Sequence, residues 1–334
     1  NEHAARGAFA DYLSRKAENT IRRQSADLAR FAEYMQAGSL LPSGRDKPES
    51  RLIAVQQAER LQHESEAWHE ITWGLVEGFR NWMIQEGDAI GSVNVRLSTI
   101  KKYAALAVKA GALQSSEYAM IKLVQGYSHQ ESKRVDDRRE KTRNGFKKAE
   151  SVHIERLEAK SLKTHPDTPQ GRRDALLMCL LLDHGLRVGE VAGLHVSDFD
   201  LKAGELKFYR PKVDKLQTHR LTPDTLKAAR AYFNAGDVPL AADLPVLRAS
   251  RKGGKLTAAG MSERAITGRV KELGEKVGLV GLSAHDCRHY WATTAARNKT
   301  DPFALQEAGG WNSLAMPRRY VADARIANEG VKLD

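Results

Sequence analysis

Between Asp174 and Asp183 the chain runs Ala-Leu-Leu-Met-Cys-Leu-Leu-Leu without a polar residue. A stretch apolar on every side has to be covered on every side, so it belongs at the centre of a core. Its length and its lack of β-branched residues favour a helix over a strand, and the pattern places that helix over Arg172 to Asp183, stopping at His184-Gly185. It is far shorter than the eighteen or so apolar residues that cross a bilayer, and no other stretch approaches that length. A content of 41% hydrophobic and 28% charged residues can supply such a core, and 334 residues fit two domains better than one.

A charge-dense stretch divides the chain. From about Gln130 to Lys148 the sequence ESKRVDDRREKTRNGFKK is nearly devoid of apolar residues and reads as a linker. It is either a plain connector or a basic strap following a phosphate backbone. Before it, apolar residues at helical spacing predict two helices over Ala8 to Met35 with a break near Ser14 to Asn19. A polar loop follows from Ala37 to Ser50, then a helix over Arg51 to Leu61, one over Ile71 to Ile84 capped by Thr72, and one from Ser92. In this last helix Arg96, Lys101, Lys102 and Lys109 lie largely off the apolar stripe. They form a solvated face or a row of phosphate contacts, and the basic character of the whole chain favours the latter. The net charge is +11 with a pI near 9.5, which fits a polyanionic partner.

Past the apolar helix, Arg187 sits in GLRVGEVAGL directly after a buried element and so on a rigid support. Glu205 to Tyr209 alternates as a strand, Pro211 to Leu216 reads as a turn and Thr218 to Leu221 returns, a hairpin with Lys212 and Lys215 at its tip. Helices are predicted from Thr222-Pro223 to about Phe233 and over Ser262 to Val277, with a loop at Gly253-Gly254. The segment Leu282–Tyr320 then carries most of the reactive groups. Ser283 and Asp286 form a capping box ahead of a helix that puts His285 and Arg288 on one face. Asp301-Pro302 starts the next helix, Gly309-Gly310 stops it, and Trp311 emerges in a tight turn. A short third helix from about Ser313 presents Tyr320. Cys179 and Cys287 are too few for a disulfide framework and point to a reducing cytoplasm, and no signal-peptide pattern is seen. The chain opens on Asn1 without a Met, as a truncated one would.

HDCRHYWAT, DPFALQEAGGWNS and RRY, in that order, resemble the active-site region of the tyrosine recombinases, the phage integrase family. That family reads His-x-x-Arg-His, then Leu-Gln-x-x-x-Gly ending in His or Trp, then Tyr nine residues on. Here these positions are His285, Arg288, His289, Trp311 and Tyr320. Cys287 stands where Leu is usual, and Gly-Gly-Trp replaces the commoner Leu-Gly-His. GLRVGEVAGL resembles the family's first arginine motif, which implies Arg187 as a catalytic residue and Glu190 as its support. The resemblance also implies an essential lysine on a mobile hairpin, for which Lys212 is the candidate. The N-terminal third is similar, more weakly, to the family's helical core-binding domain. The fold expected is α+β and mainly helical: residues 1–130 a SAM-like helical DNA-binding bundle, 131–148 the basic linker, 149–334 a catalytic domain with a small antiparallel sheet.

The resemblance implies a site-specific recombinase that transfers a DNA phosphoryl group onto Tyr320 and back through a covalent 3′-phosphotyrosine. Bond energy is retained, so no cofactor is required. Arg187 and Arg288 would fork onto the nonbridging oxygens, with His285 and the Trp311 indole N–H as further donors. A tyrosine with a reference pKa near 10 needs a base, either His285 or His289, the latter otherwise a supporting group. Lys212 would protonate the departing 5′-oxygen, with Lys215 as the alternative acid or a backbone contact beside Arg96, Lys101 and Lys102. The expected partners are double-stranded DNA with a specific target site, a homotetramer on two duplexes and accessory DNA-bending proteins, with no membrane, in a nucleoid-associated cytoplasmic setting. A metal site at His285, Cys287 and His289 is disfavoured because Arg288 would repel a cation. A type IB topoisomerase or a non-catalytic architectural DNA-binding protein are the alternatives.

Overall fold

The computed structural model describes residues 7–38, 48–138, 151–236 and 243–324. The chain separates into two compact units, Asn1–Lys147 and Lys148–Asp334, each with its own core. It is mainly helical with two small antiparallel sheets. Among the described residues no helix is long and apolar enough to cross a membrane.

In the first unit, helices α1 (Ala8–Ser14), α2 (Glu18–Ala37), α3 (Pro48–His63), α4 (Trp73–Gln85), α5 (Ile90–Lys109) and α6 (Ser115–Leu123) surround Leu28, Phe31, Trp68, Phe79, Ile100 and Tyr103. Thr72 caps α4 by accepting from the Leu75 amide at 3.3 Å, as its position before the apolar run predicts. A seventh helix, α7 (His129–Arg138), occupies the first part of the charge-dense stretch expected to be a connector. Alternating charges at helical spacing support a helix without any apolar face, which a reading based on missing hydrophobicity overlooks. The remainder of that stretch lies outside the described residues.

The second unit is built on the apolar run. Helix α9 (Pro169–Asp183) follows the short α8 (Arg156–Leu162), and its Leu176, Leu177, Met178, Leu180 and Leu181 are fully buried. At about 1.5–3 kcal/mol for each such side chain, this helix anchors the unit. It starts three residues before the expected Arg172. Thr168 accepts from the Gly171 amide at 3.0 Å and Pro169 occupies the first helical position, an entry signal that outranks the apolar periodicity.

A short helix α10 (Val188–Ala192) leads to a three-stranded sheet of β1 (Phe199–Asp200), β2 (Glu205–Arg210) and β3 (Lys215–Arg220) in antiparallel order. β3 begins at Lys215, paired in register with Arg210. So Lys215 belongs to the return strand and only Lys212 of the two lysines lies in the turn, which corrects the expectation that both occupy the tip. Helix α11 (Pro223–Asn234) packs against α9, and a second hairpin, β4 (Arg248–Ser250) and β5 (Leu256–Gly260), flanks the loop expected at Gly253-Gly254. These strands are too short for alternation to reveal them. Four helices complete the unit: α12 (Glu263–Lys276), α13 (Ala284–Arg297), α14 (Pro302–Gly309) and α15 (Ala315–Ala324).

Candidate active site

The capping box that opens α13 is present: the Ser283 amide donates to Asp286 Oδ2 at 2.8 Å and Ser283 Oγ accepts from the Asp286 amide at 3.4 Å. The other carboxylate oxygen of Asp286 receives the Val152 amide at 3.0 Å, so the start of α13 is tied to the segment entering the unit. This fixed helix puts Arg288 and Cys287 inward, leaves His285 exposed and half-buries His289. Cys287 fills the apolar core, which explains why it can stand where the family carries Leu.

The arginines converge on the end of α14. The last carbonyls of a helix have no partner within it and carry the negative pole of its dipole. Here Arg288 reaches Gly309 O at 2.5 Å, Arg187 reaches Gly310 O at 3.0 Å, and Arg210 reaches Ala308 O at 2.7 Å and Gly309 O at 3.3 Å. Arg288 also donates to Gly185 O at 2.5 Å. Gly185 has φ +59°, and a Cβ there would lie 2.3 Å from the Trp291 ring, so the close approach of this carbonyl requires glycine.

Glu190 neutralises part of this charge. Its side chain accepts from the Arg187 amide at 2.8 Å, from Arg187 Nη1 at 2.7 Å, and from Arg210 Nη1 at 3.0 and 2.9 Å. Glu190 therefore both caps α10 and holds the Arg187 side chain. Burial, with Arg187 and Arg210 nearby, lowers Arg288 to about 9, so it remains a cation at neutral pH.

The Trp311 ring stacks on Trp291 with centroids 6.0 Å apart, and the Arg288 guanidinium lies 4.5 Å over it. Tyr320 comes from α15 and is 1% exposed. Its ring meets His289 edge-on with centroids 4.8 Å apart and Trp311 at 5.7 Å, and the His285 ring lies 5.9 Å from His289. The structure thus gathers Arg187, Glu190, His285, Arg288, His289, Trp311 and Tyr320. His289, not His285, is the imidazole packed on the tyrosine.

Lys212 is exposed in the β2–β3 turn with no ion pair among the described residues, whereas Lys215 pairs with Glu307 of α14. In the first unit Arg96 is half-buried, with Asp88 at 2.8 Å and Asp27 at 4.0 Å. Lys101 donates to Lys122 O at 3.0 Å, and Lys102 is exposed beside the Tyr12 ring. Arg96 is therefore held by carboxylates of its own unit, which a helical wheel cannot show. Sequence reasoning missed Arg210. An arginine beside a hairpin turn reads as solvated, and only the folded chain brings Glu190 and Gly309 to it. Among the described residues no group of three His, Cys, Asp or Glu side chains gathers as a metal site.

Residues 153–325 match the model of the phage integrase family. The chain is 23% identical over 302 residues to the tyrosine recombinase XerC of Vibrio parahaemolyticus, covering 88% of this chain and 87% of that one. It is 29% identical over 170 residues to the tyrosine recombinase XerD of Neisseria meningitidis serogroup B, covering 49% of this chain and 55% of that one. Its fold is similar to a lambda integrase (75–356) dimer bound to a COC′ core site, with a TM-score of 0.60, 16% identity, and 98% and 95% of the two chains covered. It is likewise similar to the Tn1549 transposon integrase in complex with a circular intermediate DNA, with a TM-score of 0.59, 14% identity, and 88% and 94% covered.

Proposed function

This chain belongs to the phage integrase family, and from that membership we propose which of its residues carry the strand transfer of a tyrosine site-specific DNA recombinase. One observation carries the assignment. The Tyr320 ring lies against His289 and Trp311, while Arg288 and Arg187 are fastened to the adjacent carbonyls of the turn that holds Trp311.

Tyr320 Oη bonds to the scissile phosphorus and the bond from phosphorus to the 5′-oxygen breaks, leaving a 3′-phosphotyrosine and a 5′-hydroxyl. The phenolic proton passes to the imidazole of His289. The departing oxygen takes a proton from the Lys212 ammonium. Attack by a 5′-hydroxyl of the other duplex reverses these steps and joins the exchanged strands. Charge gathering on the nonbridging oxygens is met by the forks of Arg187 and Arg288, with His285 and the Trp311 indole N–H as further donors. The nucleophile is covered in the DNA-free protein, so α15 yields when DNA enters.

Outside the site, Lys102 and Lys101 are assigned to phosphate contacts. Arg96 supports them from its carboxylate pairs, and Lys215 reaches the flanking backbone when it leaves Glu307. The protein acts as a homotetramer on two duplexes that carry its target site, with accessory DNA-bending proteins, at nucleoid DNA.

A suicide substrate nicked near the scissile phosphate tests the reading. The native protein traps a covalent adduct and joins new ends, whereas a topoisomerase reseals without exchange and a binding protein forms no adduct. Tyr320→Phe retains DNA affinity and forms none, because only the phenolic oxygen is lost. An adduct of undiminished yield in that variant removes Tyr320 as the nucleophile.

A further inference from the structure

We propose that Arg210 is a positioning residue for the general acid: it bolts the base of the β2–β3 hairpin to the arginine cluster and to the end of α14, so that Lys212 is delivered from a fixed hinge. This rests on the reading of Lys212 as the acid.

Arg210 is the last residue of β2, two before Lys212, yet its side chain is fully buried. The neighbours Tyr209 and Pro211 are exposed, so burial is a property of this side chain and not of the strand end. Taking a guanidinium out of water is costly unless its donors are met. Here every nitrogen is used: Nε on Gln217 Oε1, Nη1 on both Glu190 oxygens and Gly309 O, and Nη2 on Ala308 O. Lysine has three donors at one point and cannot reproduce this planar fork.

The opposite strand reinforces the bolt. Gln217 Nε2 donates to Glu307 O, and Lys215 pairs with the Glu307 side chain. Three side chains from the two strands thus grip consecutive residues of the last turn of α14, from which Trp311 follows. Above Arg210 and Lys215 only residues 211–214 remain to move. Within that turn Asp214 has φ +48° and accepts from Tyr209 Oη at 2.5 Å. The reach of Lys212 is therefore set by a four-residue turn on an anchored base. The same guanidinium shares Glu190 with Arg187, so the element bearing the acid and the residue holding the phosphate refer to one carboxylate.

The test compares single-turnover cleavage of ordinary DNA with that of a substrate whose 5′-bridging oxygen is sulfur, a leaving group that departs without protonation. Native protein, Lys212→Ala, Arg210→Lys and Gln217→Leu are measured together, with thermal melting to show that each is folded. Arg210→Lys keeps a charge for Glu190, and Gln217→Leu removes part of the bolt without touching any charge. Both are expected to cut ordinary DNA at least about tenfold more slowly, within the hundredfold that an ångström of misplacement can cost. Both are expected to cut the sulfur substrate at close to the native rate, as Lys212→Ala does. If Lys212→Ala is rescued by sulfur while Arg210→Lys and Gln217→Leu are slowed equally on both substrates, or slowed on neither, the positioning role of Arg210 is wrong and that of Lys212 stands. If sulfur fails to rescue Lys212→Ala, both assignments fall.

Discussion

Arg187 and Arg288 owe their positions to carbonyls, not to carboxylates alone, and this separates their folding from their chemistry. Arg288 has no acidic partner in direct contact; it is held by Gly185 O and Gly309 O and by the faces of Trp311 and Trp291. Its guanidinium, lowered to about 9 by burial and by two neighbouring arginines, lacks a counter-ion that a phosphate would supply. Replacing Arg187 or Arg288 by alanine is expected to slow cleavage about a hundredfold or more, the scale of losing one oxyanion donor. Single-turnover rates on the nicked substrate measure this, and near-native rates in either variant would contradict its role. These residues were legible in the sequence because each lies in a motif of contiguous residues. Arg210 was not, because its partners come from positions 20 to about 100 residues away and leave no local pattern.

At the scale of elements, the C-terminus of α14 organises the site, and its two glycines determine how. Gly310 has φ +58°, the left-handed conformation that turns the chain out of the helix. A Cβ on Gly309 would stand 2.0 Å from the Trp311 ring, so the indole can fold back under Arg288 only because that position is bare. Gly309→Ala is therefore expected to push Trp311 off Trp291 and Arg288 and to lower cleavage by at least about tenfold, as the loss of a positioned donor does. DNA affinity should be nearly unchanged. A shifted tryptophan fluorescence spectrum in the DNA-free variant reports the displacement, and a native spectrum with a native rate would show that the contact is dispensable. The helix stop itself was read from Gly-Gly. The fold-back of Trp311 was not, since nothing in Gly-Gly-Trp distinguishes a ring pointing to solvent from one packed on the preceding turn.

At the scale of the molecule, the second unit carries two imidazoles that tie its stability to pH. His184 closes α9 and its ring nitrogen lies 3.1 Å from Thr225 Oγ1; His219 on β3 stacks on it with centroids 5.6 Å apart. Burial lowers each to about 4, with His184 and Arg210 contributing at His219. In the unfolded chain both titrate near 6.5. Between those values the unfolded state binds more protons, so stability is full above about pH 6.5 and is lost as pH falls toward 4. By this linkage each imidazole removes about 2 kcal/mol at pH 5. The melting temperature of the native protein should drop between pH 7 and pH 5, and His219→Gln should flatten that drop. An equal drop in the variant would show that other groups govern acid sensitivity.

The helical character, the existence of a charged divide and the main reactive groups were determined by the sequence itself. Helix periodicity, Thr and Ser caps and Gly stops act over three or four residues, and the motifs around Arg187, Arg288 and Tyr320 are contiguous. The C-terminal stretch with Ala327, Val331 and Leu333, expected to form a modest apolar docking face, lies outside the described residues. What only the tertiary structure decided is how charge is shared and placed. Examples are Glu190 between two arginines, Arg210 buried at a strand end, Arg96 turned to Asp88, and His289 laid against Tyr320. Each of these depends on which distant groups meet once water has been excluded. The energy of a buried charge is set by those neighbours and not by its own place in the chain.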